Sequence, residues 1–122
     1  MKILLLLLFA ATLFGQFTSH TVTFRLSIVS FSTTPTFDAS NGTTQKITLA
    51  GNVTSSTLTN TPSGQIVNFI ICQDATGSRT FVWPTNVKGA MTIGSTLSTC
   101  SVQGFISDGT NLYASSPGVV NQ

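Results

Sequence analysis

Glutamate is absent from this 122-residue chain, histidine occurs once, at His20, and the acidic side chains are limited to Asp38, Asp74 and Asp108. General acid–base catalysis needs a positioned proton carrier tuned by a partner, so this inventory argues against an enzyme. No Gly-x-Ser-x-Gly elbow, His-Glu-x-x-His pair or phosphate-cradling glycine loop occurs, and neither a catalytic residue nor a cofactor is expected. Cysteine is scarce too: Cys72 and Cys100 with one distant histidine do not make a structural zinc site. Basic runs are missing, which speaks against nucleic-acid binding and against a patch for anionic lipid.

Long apolar runs are confined to the start. Met1-Lys2 precedes ILLLLLFAATLF (residues 3–14), a short positive segment followed by an apolar core. The run is shorter than the roughly 20 residues a membrane span needs, and Ser/Thr-rich sequence follows at once. It reads as a secretory signal peptide over residues 1–16, with cleavage near Gly15-Gln16, so the mature chain has no membrane span and is secreted to the periplasm, cell surface or medium. His20 then lies near a terminus, where fraying is expected. Arg25, Lys46, Arg79 and Lys88 face three aspartates in the remainder, a formal charge of +1.

In an oxidising compartment an even cysteine count favours a Cys72–Cys100 disulfide. Closing a loop of about 29 residues stabilises by about 3–4 kcal/mol in the chain-entropy account.

What the sequence does contain is period-two alternation between turn residues. Residues 21–28 (TVTFRLSI) set Val22, Phe24, Leu26 and Ile28 on one side, as in a half-buried strand. Residues 44–50 bury Ile47 and Leu49, and a weaker strand follows Gly51-Asn52. Residues 65–72 (QIVNFIIC) are apolar on both faces, which marks a central strand. The loop QDATGS, with Asp74 and Gly77 as turn residues, leads into RTFVW (79–83), expected to pair back as a hairpin until Pro84 ends the ladder. Arg79 can meet Asp74 across that turn. Residues 90–93 alternate again, and Asp108-Gly109 between residues 101–107 and 110–114 is a strong hairpin signal.

These segments predict an all-β fold, an antiparallel β-sandwich of jelly-roll type with roughly eight short strands. The expected organisation is a lead-in over residues 17–40, a sandwich core over 41–115 and a flexible tail over 116–122. Few lysines guard the sheet edges, so pairing with another chain is favoured.

The succession ITLAGNVTSSTL, GQIVNFIICQDATGSRTFVWPTNVKGAMTIG and FISDGTNLYA resembles a β-sandwich module of bacteriophage tail-fibre and other virion-surface proteins, and of secreted surface proteins of environmental bacteria. The resemblance runs from about Phe37 to Ala114 and rests on the turn at 73–80, on Trp83-Pro84 with Asn86-Val87, and on Asp108-Gly109-Thr110. It implies a structural or adhesive module and brings no catalytic residues. Tail-fibre proteins do not ordinarily begin with an export signal, so the signal here points to an exported bacterial protein standing alone.

The leading expectation is therefore a non-enzymatic structural or adhesion module of a cell or virion surface, with self-association or surface polysaccharide as its partner. The alternative is a carbohydrate-binding module whose exposed aromatic residues, Trp83 and Tyr113, form a platform. In RTFVW the alternation places Phe81 and Trp83 on one face, with burial of Trp83 favoured.

Overall fold

The computed structural model describes residues 24–122; the expected signal peptide, His20 and the start of the first expected strand lie outside them. The strands are β1 (Leu26–Val29), β2 (Thr36–Asp38), β3 (Thr44–Leu49), β4 (Thr57–Thr59), β5 (Ile66–Gln73), β6 (Val87–Lys88), β7 (Cys100–Ser107) and β8 (Leu112–Ala114), with a single 3-10 turn at Ala39–Asn41.

The chain is all-β, but the antiparallel sandwich is overturned. It winds as a β-solenoid of about three turns. β1, β3 and β5 stack in parallel register, Leu26 beside Thr44 and Thr44 beside Asn68. Across the core, β2 and β4 stack in parallel, Phe37 beside Leu58. Each return from one strand to its parallel neighbour passes through a strand of the facing sheet. Alternation reports which side chains share a face; it carries no information about the direction of the neighbouring strand, so short strands between turns fit either architecture.

The expected hairpin of RTFVW on β5 is corrected for the same reason. β5 is central, but its neighbours are β3 on one side and β7 on the other. Residues 79–83 instead continue the facing wall: Val53 N–H donates to Thr80 O at 2.9 Å, and the Ser56 hydroxyl donates to Val82 O. They thus run as a third layer beside the approach to β4.

Beyond β5 the sheet becomes antiparallel. β7 pairs with β5, Val67 opposite Phe105, and β8 returns along β7 through the turn at Asp108-Gly109. Asp108 Oδ1 accepts from Thr110 N and Asn111 N, and Gly109 adopts φ 98°, a left-handed conformation that suits glycine. β6 joins β8 in parallel, giving the order β1-β3-β5-β7-β8-β6. The last residues, expected to be flexible, run beside β7: Val119 and Val102 exchange backbone hydrogen bonds, as do Gln122 and Cys100.

Register decides the core. Ile47 and Leu49 of β3, Val67, Phe69 and Ile71 of β5, Phe105 of β7 and Leu112 of β8 meet Phe37 and Leu58 from the facing sheet. Phe69 sits edge-on to Phe37, Phe105 and Trp83, with centroids 5.2, 5.8 and 5.3 Å away, the geometry that brings a positive ring edge to a negative face. β1 reverses the expected facing. Because Ser27 pairs with Gln45 and Val29 with Ile47, Ser27 and Val29 point inward, leaving Leu26 51% and Ile28 77% exposed.

Candidate functional site

The stretch from Gln73 to Ser95 has little regular strand, yet it is tightly held. Gln73, the last residue of β5, is buried in phase with Phe69 and Ile71. Its Oε1 accepts from Arg79 N at 2.9 Å while its Nε2 donates to Arg79 O at 2.9 Å and to Gly94 O at 2.8 Å. One side-chain amide thereby does for Arg79 what a neighbouring strand would do. Asn52 Oδ1 adds a bond from Thr80 N.

Gln103 of β7 acts in the same way. Its Oε1 accepts from Met91 N at 2.7 Å, and its Nε2 donates to Gly89 O and Ser116 O. Ser101 Oγ accepts from Gly94 N. Residues 90–93, expected as a strand, are therefore pinned together with Gly89 and Gly94 by side chains instead of a ladder. Gln45 of β3 donates to Asp38 O and Gly42 O, and its buried Oε1 lacks a partner among the described residues. Sequence reasoning missed all three glutamines. The available signal was phase: each occupies an apolar position of its strand, Gln45 ahead of Ile47, Gln73 after Ile71 and Gln103 before Phe105.

Trp83 belongs to this region. It packs edge-on against Phe81 and Phe69, and its indole N–H donates to Met91 O at 2.9 Å. Phe81 and Trp83 share the inward side as their alternation indicates, with Val82 turned out at 48% exposure. A cavity of about 430 Å³ lies between this segment and residues 90–95, lined by Arg79, Phe81, Trp83, Met91 and Ile93. Tyr113 is elsewhere: it stands opposite Ile106 on the outer face of β8, whereas Trp83 contacts Phe105 inside. The structure does not bring the two candidate aromatics together.

The turn residues are placed as turns. Asp74 Oδ1 accepts from Thr76 N and Gly77 N, and its carboxylate holds the Arg79 guanidinium, Nη2 to Oδ2 at 2.9 Å. Gly77 adopts φ 73°, and a Cβ there would meet Leu97 N and Ser95 O at 2.9 Å. The hydrogen bond from Arg79 keeps Asp74 below the usual carboxylate range. Backbone N–H groups of Asn111 and Thr110 do the same for Asp108, and the Ser40 hydroxyl, with Asn60, for Asp38. All three aspartates are thus committed to local hydrogen bonds that favour the ionised form.

Cys72 and Cys100 form a disulfide directly across the β5–β7 pair, on the face away from the core. A wide surface groove of about 1320 Å³ runs past the β4–β5 connection, where Asn60, Gln65, Asn68 and Asn86 present amides beside Phe24 and Ile66. Among the described residues, no group of three or more His, Cys, Asp or Glu is gathered to hold a metal, and no helix is long and apolar enough to cross a membrane. Comparison with protein-family models, curated proteins and solved structures finds no match to this chain.

Proposed function

We propose that the chain is an exported, non-enzymatic structural or adhesive module of a cell or virion surface. The observation that carries this reading is the use to which its few reactive groups are put. Asp38, Asp74 and Asp108 are each tied into a turn by hydrogen bonds that hold them ionised, leaving none as a proton donor near neutral pH. The polar side chains that are buried serve the backbone: Gln45, Gln73 and Gln103 each satisfy carbonyls of irregular segments. Such a molecule is built to hold a shape.

Export is supported by the apolar run near the first residue and by a disulfide that an oxidising compartment maintains. Adhesion is supported by the surface groove, where Asn60, Gln65, Asn68 and Asn86 set uncharged amides among apolar residues such as Phe24 and Ile66, a mixed surface suited to the hydroxyls and ring faces of a surface polysaccharide. An aromatic platform of Trp83 with Tyr113 has no geometric support, because the two side chains look to opposite faces. The test is binding of the fluorescently labelled protein to whole cells and to immobilised polysaccharides, beside a panel of hydrolase assays. Retention on cells or polysaccharide without turnover is expected. Catalytic turnover that survives repurification, or no retention on either surface, would end this reading.

A further inference from the structure

We infer that two copies of this chain join through β1, antiparallel about a two-fold axis at Ser27, to make one continuous sheet. This goes beyond the function proposed above, since it concerns how copies meet and not what they coat. β1 is the edge of the six-stranded sheet, and among the described residues nothing pairs with its outer side. Thr44 N donates to Arg25 O, so the polar backbone groups of Arg25, Ser27 and Val29 face β3. Alternation then turns the N–H and C=O of Leu26 and Ile28 outward, as a template for a further strand.

The side chains point to the occupant. Leu26 and Ile28 are 51% and 77% exposed on one face of this edge, with no lysine, proline or bulge on the strand to deter pairing. A two-fold at Ser27 sets Leu26 opposite Ile28 of the second copy and Ile28 opposite its Leu26. Those are the residues whose backbone groups face outward, so each pair exchanges both N–H···O=C bonds while covering apolar surface. Arg25 falls opposite Val29 in this register, which keeps the two arginines from meeting. The far edge of the sheet does not offer the same template. β6 has two residues, and Lys88 is one of them, its ammonium donating to Thr85 O. Joining edge β1 to edge β6 is therefore disfavoured, and the association closes at a dimer instead of growing into a fibre.

Analytical ultracentrifugation of the purified protein over a wide concentration range is expected to show a reversible monomer–dimer equilibrium. Ile28→Pro removes an outward N–H without touching a bond to β3, and should abolish the dimer while far-ultraviolet circular dichroism stays unchanged. If that variant does not fold, Ile28→Lys serves the same purpose. Ser27→Cys places two thiols across a non-hydrogen-bonded pair at the axis and should give a crosslinked dimer under mild oxidation, mapped by mass spectrometry. A monomer at every concentration, a dimer that persists in folded Ile28→Pro or Ile28→Lys, or dimers of Ser27→Cys that fail to crosslink, overturns the inference.

Discussion

Replacing Gln73 tests whether a side-chain amide stands in for a missing strand. Gln73→Ala removes three hydrogen bonds, to Arg79 N, Arg79 O and Gly94 O, in a position only 4% exposed. At about 1 kcal/mol net for each bond the loss is about 3 kcal/mol, with more wherever a partner stays dry and unpaired. For a domain of this size that corresponds to a fall in Tm of about 10–20 °C. Gln73→Glu sharpens the test. The carboxylate still accepts from Arg79 N–H but faces the two carbonyls that Nε2 served, so its folded pKa should rise above the unfolded value of about 4.3. A raised carboxyl pKa means the folded state holds the proton longer, so stability falls as pH increases from the unfolded toward the folded pKa. The Glu variant should therefore be at least as damaged as the Ala variant at pH 7 and recover relative to it near pH 4.5. The single tryptophan is a natural reporter, because Trp83 contacts Phe69 and Phe81 only when this segment is in place. Urea titrations followed by its fluorescence give both stabilities. An Ala variant within about 0.5 kcal/mol of the parent, the scale of an ordinary surface change, would refute the reasoning.

Four further outcomes are expected. Reducing Cys72–Cys100, or replacing both residues by Ala, should cost about 3–4 kcal/mol by the chain-entropy account, read as a lower urea midpoint with and without reductant. Because Asp38, Asp74 and Asp108 are held below the ordinary value of 3.8, their contribution is present above that value and is lost as pH falls through their folded pKa values; Tm should drop below about pH 4, and less steeply in Asp108→Asn. Gly42→Ala should destabilise by about 1–3 kcal/mol, because its Cβ would collide with the Arg25 carbonyl oxygen that Thr44 N–H binds, prising β1 from β3. Trp83→Phe keeps an edge-on ring but loses the bond to Met91 O, for a cost of about 1 kcal/mol in thermal unfolding.

The inward positions of β3 were legible because alternation names a face, and Ile47 and Leu49 are fully buried; β5, apolar on both faces, was legible as a central strand but not as to which face is inside. The β7–β8 hairpin was legible because Asp108-Gly109 carries its own turn chemistry. Strand direction was not. The path from Val29 to Thr44, most of it expected as a lead-in, instead carries β2 across the core and back. Facing at β1 was misread because its apolar residues follow the outer phase, and only the pairing of Ser27 with Gln45 fixes which phase is inside. The candidate aromatic pair failed on a point no local pattern contains, namely that residues 79–83 and β8 contribute to different walls.

The three buried glutamines also answer how a solenoid forms without a repeat. Stacked coils usually reuse one pattern so that each strand finds an equivalent neighbour. Here the spacing differs, Leu26 lying beside Thr44 but Thr44 beside Asn68, and beyond β5 the chain runs through residues 79–94 with little regular strand to pair its backbone. Backbone groups left dry would each cost about 1–3 kcal/mol, more than a small domain tolerates in number. A glutamine reaches past the strand carrying it and offers both a donor and an acceptor, which an aliphatic residue in the same phase cannot. Gln73 and Gln103 use both ends of their amides on segments 79–94, converting irregular chain into a fixed third layer. That layer closes the aromatic cluster from one side, which is why a polar residue in the apolar phase of β5 matters as much to this fold as the phenylalanine beside it.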